Sequence, residues 1–553
     1  MPDVLRQEPL DTVAEVIEAR AADTNIALRF EDRVWTWAEV VEEMHAYGVM
    51  LRELVPSEPF HVGVLLDNVP EYLFIIGGAT LVGGVVVGIN PTRRGDELAK
   101  DIRAADCQAV ITNSKSAQLL DGLDLGVATD QQLIIDADDF TPPTRGTRVA
   151  ATPTAEDLLF LIFTSGSTGA PKAVRVTQGR AARAATGQMG FTADDVLYSA
   201  MPLFHGNALM SIVFPALGSG ASIVLRRTFS ASAFIPEVRA NGCTFFSTVG
   251  RALSYILATP ESPDDRDNQL KYVLAPESSP ADASAFRKRF GCMVISGYGS
   301  SENAIVMVPS PGLPRDALGV PLEGLDVAII DPDTNVECPR ATFDADGRIL
   351  NAPDAIGEIV GRNALDRFEG YYNNPEATAA RARGGWYWSD DLGYRDADGI
   401  FYFAGRTADW LRVDAENFAS GPVERILQRF PGLRGIAVFG VPDERTIDDQ
   451  VMAVIEMDDG DVFDAARFDA FLAEQRDIGT KWAPRYVRLV SALPVGATNK
   501  IDKKPMREAA WNVTDPVYWR PDRQGALQLM TSDDIVELHQ RFEEHGREGA
   551  VGR

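Results

Sequence analysis

Thr164-Ser165-Gly166-Ser167-Thr168-Gly169, followed by Ala170-Pro171-Lys172, gathers glycines, hydroxyls and a cation into nine residues. Glycine lets a backbone take φ > 0 and bring its N–H groups close to a ligand. The hydroxyls add donors and Lys172 adds charge, a set that suits a polyphosphate. An apolar run, Leu159–Phe163, precedes the loop and an alternating one, Ala173–Thr177, follows it. This is not a Walker A loop. Lys172 follows Gly-Ala-Pro, no Ser or Thr comes after it, and a strand pattern stands where a helix should begin. A solvated hairpin turn is the plainer alternative, but so dense a Gly/Ser/Thr run between two strand patterns favours phosphate binding. A second cluster, Ser296-Gly297-Tyr298-Gly299-Ser300-Ser301-Glu302, follows a strand end at Val294-Ile295. That is the carboxyl edge at which α/β sheets bind ligands. Glu302 is a hard oxygen donor suited to Mg2+ shared with phosphates. Alone it would read as a solvated surface residue.

These groups need a scaffold. The chain has 553 residues, a prior of roughly three to four domain-sized units at ~150 residues each. It is 45% hydrophobic and 24% charged, ordinary for a globular protein. Its formal net charge of −27 argues against nucleic acid or an anionic membrane as main partner, because both need a basic footprint. Four dispersed cysteines, Cys107, Cys243, Cys292 and Cys338, form no metal or disulfide pattern and point to a reducing compartment. The first residues lack the apolar core of a signal peptide, so the expected location is the cytoplasm. Leu73–Ile89 is apolar but short for a span and holds five glycines, so a buried helix followed by a strand near Val85–Gly88 is expected.

Short Val/Ile/Leu runs alternate with helical patterns from about residue 60 to 300. Strands are expected at His61–Leu66, Ala109–Thr112, Gln132–Ile135 and Ala221–Leu225, with helices at Asp96–Ala105 and Ala231–Asn241. That alternation implies mostly parallel sheets covered on both faces. From Gly319 to Phe403, Gly, Pro and Asp punctuate short strands at Asp326–Ile330, Gly357–Val360 and Ile400–Phe403, indicating a β-rich unit. A compact α/β pattern follows: helix Pro422–Arg429, strands Gly435–Val441 and Val451–Met457, helix Ala465–Gln475. The charged helical stretch Asp533–His545 reads as a cap or a partner surface.

Thr164–Val174, TSGSTGAPKAV, closely resembles the phosphate loop of the adenylate-forming superfamily of acyl- and aryl-CoA synthetases, peptide-synthetase adenylation domains and beetle luciferases. Further stretches fall in that family's order. The resemblance implies that Tyr298 and Gly299 flank the nucleotide, that Ser301 replaces a usual Thr near the α-phosphate, and that Glu302 holds Mg2+. Trp386–Asp391 resembles the station whose aspartate, here Asp391, bonds both ribose hydroxyls; Asp390 stands where glycine is usual. Gly405–Asp409 resembles the domain boundary, with Arg406 on ribose or phosphate and Ala408 in place of the usual hinge Asp or Lys. Leu411–Glu424 resembles the stretch facing the pantetheine tunnel, so Arg412, Ala415, Glu416 and Asn417 are the CoA-side candidates; Ala415 replaces a usual Gly and Ser420 a usual Pro. Pro494–Lys504 resembles the terminal lysine motif, with Lys500 aligned, Asn499 for Gly, and Lys503 and Lys504 as neighbours. Pro202–Asn207 resembles the start of the acyl pocket, giving Phe204, His205, Asn207 and, from the second motif, Gly297 as candidates. His205 reads equally as a gate or as a packed histidine. The apolar run Ala208–Gly218 follows and could line the pocket. Asn90–Ile102 and Val249–Pro260 look like actinobacterial fatty-acid and steroid-type CoA ligases and the fatty-acid-transport synthetases.

The resemblance implies an α/β fold: a large N-terminal domain of doubly wound mixed sheets with a β-rich subdomain (residues 1–408), a small mobile α+β C-terminal domain (409–515) and an extension (516–553). The implied activity is AMP-forming ligation of a large apolar acid, a long-chain fatty or steroid side-chain acid, to CoA, with ATP and Mg2+. Lys172 and the loop amides would hold pyrophosphate, Lys500 would bridge carboxylate and α-phosphate, and rotation of the small domain would admit CoA. Implied partners are small molecules, with a homodimer compatible. Transfer to a separate carrier protein is one alternative. A degenerate nucleotide- or lipid-binding relative, suggested by Asp390, Ala408, Ala415 and Asn499, is another. A serine hydrolase is disfavoured because no GxSxG elbow occurs.

Overall fold

The computed structural model describes residues 10–544 and 547, apart from 57–58, 150–152, 165–171, 188, 277, 279, 309–312, 315–316, 345–348, 407–409, 414–415, 445–448, 476–477, 480, 496–500 and 523–524. The chain divides into two compact units: residues 1–306 with 366–382, and 307–365 with 383–553.

The first unit holds two seven-stranded sheets with helices between their strands. One runs in the order Met293–Ile295, Tyr272–Leu274, Phe245–Ser247, Val196–Ser199, Ser222–Leu225, Ile26–Phe30, Arg33–Thr36, parallel except for the last pair. The other runs Tyr371–Tyr372, Lys172–Thr177, Leu158–Thr164, Val85–Gly88, His61–Leu65, Ala109–Thr112, Gln132–Ile134. Its last five strands are parallel, and the two at the Tyr371 edge are antiparallel to their neighbours. The inner strands are buried on both faces, as Val85–Gly88 and Ala109–Thr112 are at every position. That is why they read as unbroken apolar runs.

The apolar stretch at Leu73–Ile89 is a helix, Pro70–Leu81, and then the strand Val85–Gly88. Pro70 starts the helix at a position where its missing N–H costs nothing. Two of the glycines serve close packing against the Trp37–Leu54 helix. A Cβ on Gly77 would lie 2.2 Å from Met44 Cγ, and one on Gly78 would lie 2.6 Å from the Gly48 nitrogen. A helix apolar all round is one buried in a large core. Among the described residues no helix is long and apolar enough to cross a membrane.

In the second unit, Ala317–Pro321, Phe401–Arg406, Trp386–Arg395, Gly357–Gly361 and Val327–Ile330 pair antiparallel in that order. Trp410–Val413 and Glu416–Ala419 form a two-stranded ribbon. A five-stranded mixed sheet follows: Leu433–Pro442, Asp449–Met457, Tyr486–Val490, Val517–Trp519, Gln528–Leu529. One core joins the β-rich stretch to the later one, with Leu392, Tyr402 and Ala404 packed in the same cluster as Leu411, Val423, Ala453 and Val487. The Ser532–Glu544 helix buries Leu538 and Phe542 in a second cluster with Tyr486, Trp511 and Trp519. The Phe542 ring centroid is 5.9 Å from that of Trp511. Of the two readings of the charged C-terminal stretch, a cap on the core is what these contacts describe.

Candidate nucleotide and acyl site

Thr164 and Lys172 are register partners at the end of the Leu158–Thr164/Lys172–Thr177 pair where the chain passes from one strand to the next. The glycine-rich turn is therefore the connection of an antiparallel pair, and a strand does follow Lys172, unlike in a Walker A loop. Ser165, Gly166, Ser167, Thr168 and Gly169 lie outside the described residues. Thr164 Oγ1 donates to the Lys172 carbonyl at 3.4 Å. Lys172 is buried, and its Nζ stands 5.8 Å from the ring centroid of Tyr371.

Tyr371 enters from residues 366–382 as the edge strand beside Lys172–Thr177, pairing Tyr371 with Val174 and Tyr372 with Ala173. Its hydroxyl donates to Glu302 Oε1 at 2.7 Å and accepts from Arg381 Nε at 3.1 Å. Glu302 is 6% exposed. Burial pushes its carboxyl pKa up, but the Tyr371 hydrogen bond, the Arg381 charge, its own backbone N–H and Ser300 outweigh burial and hold it below the usual carboxylate range. The opposite holds for Tyr371, whose phenol is pushed well above its ordinary value by burial and by Glu302. Glu302 is thus a buried, ionised, hydrogen-bonded carboxylate rather than a solvated one.

The backbone on both sides of Glu302 is also held. Buried Arg180 donates through Nη2 to the Ser301 carbonyl and through Nη1 to the Arg175 carbonyl at 2.9 Å. Arg367 Nε reaches the Asn303 carbonyl at 3.4 Å, and Asn303 itself adopts φ 55°. Burial and the nearby Arg183 lower the Arg367 pKa. Gly297, Tyr298, Gly299 and Ser301 follow the Met293–Ile295 strand end, as the sequence implies.

The Phe204–Asn207 stretch comes to the same region. A Cβ on Gly206 would lie 3.4 Å from Ile162 Cδ1 and 3.8 Å from Ser301 Oγ, so this loop passes beside both earlier motifs. Phe204 packs over Gly88, where an added Cβ would meet the Phe204 backbone at 3.0 Å. Asn207 Oδ1 accepts from Ser247 Oγ at 2.8 Å. His205 Nδ1 accepts the Asn207 N–H at 3.3 Å, capping the short helical turn it precedes. Of the run Ala208–Gly218, Leu209, Ile212 and Phe214 turn into the core through a π-helical stretch at Leu209–Val213. Val213, Phe214 and Leu217 also border an apolar cavity of about 30 Å³ shared with Trp37, Met44 and Leu73. A void of that size holds about one water's volume. It is too small for an acyl chain and contains neither Lys172 nor Glu302.

In the second unit, Asp391 and Arg406 are paired on neighbouring strands. Asp390 takes φ 57°, the left-handed conformation, and its N–H donates to Glu358 Oε1 at 2.7 Å. That backbone requirement is the reason glycine suits the position; aspartate tolerates it better than most side chains do. Arg412 pairs with Asn417, and Glu416 with Val413, across the ribbon. Ala408, Ala415, Asn499 and Lys500 lie outside the described residues, between described ends that include the Val495–Ile501 bridge. The neighbouring lysines are accounted for locally: Lys503 Nζ donates to Ser420 Oγ at 3.0 Å and pairs with Glu424 at 2.9 Å, and Lys504 faces Glu508 on its own helix at 3.9 Å.

Sequence reading missed Tyr371, Arg381, Arg180 and Arg367. Gly370-Tyr371-Tyr372-Asn373-Asn374-Pro375 carried a local signal, since Gly370 takes φ 79°, Asn374 caps a helix and Pro375 begins it. Nothing local connected that signal to Glu302.

The donor set fits Mg2+ shared with phosphates. Glu302 supplies a hard, ionised oxygen, while no group of three His, Cys, Asp or Glu among the described residues could cage an ion unaided.

Residues 17–372 match the family described as AMP-binding enzyme. The chain is 48% identical to steroid-22-oyl-CoA synthetase of Rhodococcus jostii (strain RHA1), over 97% of this chain and 98% of that protein. It is 41% identical to a medium/long-chain-fatty-acid–CoA ligase of Mycobacterium marinum, over 92% and 98%. Its fold resembles the crystal structure of the anthranilate CoA ligase AuaEII in complex with anthranoyl-AMP, with a TM-score of 0.77 at 22% identity over 92% of this chain and 98% of that one. The chain belongs to the AMP-binding enzyme family.

Proposed function

We propose that the chain is an ATP-dependent, AMP-forming acyl-CoA ligase for a large apolar carboxylic acid, a long-chain fatty acid or the side-chain acid of a steroid. One observation carries the chemistry: Lys172 and Glu302, 130 positions apart, meet around the Tyr371 ring and hydroxyl. The full-length likeness to two CoA ligases supports the acceptor and the class of acid.

In this reading a carboxylate oxygen attacks the α-phosphorus of ATP and pyrophosphate leaves. The CoA sulfur then attacks the acyl carbon of the adenylate and AMP leaves. The protein's task is alignment and charge stabilisation. Lys172 and the loop amides hold the departing pyrophosphate. Lys500 bridges the acid's carboxylate and the α-phosphate in the first step. Asp391 accepts from the ribose hydroxyls, and Arg406, a fork-shaped cation, contacts ribose or phosphate. Tyr298, Gly299 and Ser301 border the nucleotide; Phe204, His205, Asn207 and Gly297 border the acid. Glu302 would hold Mg2+, which when bound neutralises phosphate charge. Arg412, Ala415, Glu416 and Asn417 serve the CoA side once the part of the chain from 409 onward has turned, a gating step of the lid type. The four cysteines are free, which suits a reducing cytoplasm.

The test is pyrophosphate release across medium-chain, long-chain, aryl and steroid side-chain acids, with hydroxylamine as adenylate trap, with and without CoA. Release that depends on a large apolar acid and yields a CoA thioester is expected. Release trapped only by hydroxylamine would replace CoA by another acceptor. No release with any acid would overturn the reading.

A further inference from the structure

Glu302 is held by a tyrosine that is itself held by an arginine. Because an Arg Nε only donates, the Tyr371 oxygen accepts from Arg381, and its single proton is left to point at Glu302 Oε1. The 2.7 Å contact to Oε1 is a charge-assisted hydrogen bond, stronger than a neutral one and directional. Tyr371 is in turn fixed by the strand that begins at Lys172. It pairs with Val174, and its N–H donates to Thr378 Oγ1 at 3.0 Å. The same ring lies 5.8 Å from the Lys172 ammonium, within cation–π range. One side chain therefore faces both the anionic and the cationic member of the site.

Resting on the ligase reading above, we infer that Tyr371 is a positioning residue for adenylation: its hydroxyl, oriented by Arg381, sets the Glu302 carboxylate for the metal-bound nucleotide, while its ring sets Lys172. Partners of this kind around a metal ligand contribute through orientation, and their loss lowers metal affinity by roughly 10- to 100-fold. The two functions of the residue separate by substitution. Tyr371→Phe removes the hydroxyl and keeps the ring; Tyr371→Leu removes both.

The experiment is a Mn2+ titration followed by electron paramagnetic resonance, with the full chain and a non-hydrolysable ATP analogue, alongside acid-dependent pyrophosphate release at graded Mg2+. Tyr371→Phe should weaken Mn2+ binding about tenfold or more and raise the Mg2+ concentration needed for half-maximal release, with turnover recovered at saturating Mg2+. Tyr371→Leu should also weaken binding of the nucleotide without metal, through Lys172. Mn2+ affinity equal to wild type in Tyr371→Phe would overturn the inference, even if the melting temperature falls. If that variant does not fold, Arg381→Lys decides. It keeps ring, hydroxyl and the charge near Glu302 and removes the fixed Nε donor that orients the hydroxyl, so a smaller weakening of Mn2+ binding supports the inference and unchanged binding overturns it. A wild-type chain that binds the Mn2+–nucleotide but releases no pyrophosphate with any acid would instead overturn the ligase reading.

Discussion

Lys172 sits at the end of a strand pair, buried, with its ammonium 5.8 Å from the centroid of an aromatic ring, and no ion pair to it occurs among the described residues. A cation placed that way is available to an incoming anion. Lys172→Ala should therefore lower kcat/KM for ATP by roughly a hundredfold or more, the scale of removing one preorganised electrostatic group. Steady-state kinetics in ATP at saturating acid measures it, and unchanged kinetics would remove Lys172 from the site. The strand pair that flanks residues 165–171 was legible because the apolar run before them and the alternating run after them are local signals. Asp390 shows the limit of local reading. The sequence showed only that it stands where glycine is usual; the structure shows why, since the backbone there is left-handed and its N–H is taken by Glu358.

The Trp37–Leu54 helix carries His45, buried against the Val13–Ala19 helix and residues 148–149. Its Nδ1 accepts the Val149 N–H at 3.2 Å, its Nε2 is 3.0 Å from Glu18 Oε1, and Arg148 pairs with the same glutamate. Burial lowers its pKa, Glu18 raises it, Arg148 lowers it, and the net is below 6.5. The unfolded state then binds the proton more readily than the folded state, so stability is full above 6.5 and falls as pH drops through and below it. His61, pushed down mainly by burial, acts in the same direction. A melting-temperature series across that range should be shallower in His45→Gln than in wild type; equal slopes would show that His45 does not titrate on unfolding. At the other end of the chain, Phe542 is 1% exposed in the core with Trp511. Phe542→Ala should cost about 3–5 kcal/mol, read by urea denaturation of the second unit. A cost near zero would make the Ser532–Glu544 helix peripheral. Element positions were largely legible, because apolar runs and helical spacing are local; the strand at Ala109–Thr112, the strand end at Val294-Ile295 and the Ala231–Asn241 helix fall where that spacing puts them.

For the molecule as a whole, the proposed reaction assigns its two halves to different residues. Lys500→Ala should abolish acid-dependent pyrophosphate release, a loss of several kcal/mol by the scale of such groups, and leave thioester formation from supplied acyl-AMP near wild type. Equal loss of both halves would refute the half-specific role. The order of motifs, the α/β class and the net negative charge were all properties of the sequence, because each depends on residue type or short-range spacing. Which side chains meet was not. Tyr371 lies 69 positions from Glu302 and 199 from Lys172, and no local pattern relates them. Their meeting depends on an edge strand from residues 366–382 returning to the first unit and pairing in register with Lys172–Thr177. Sheet pairing across such separations is decided by the tertiary fold, since a register shift of one residue would turn Tyr371 to the opposite face.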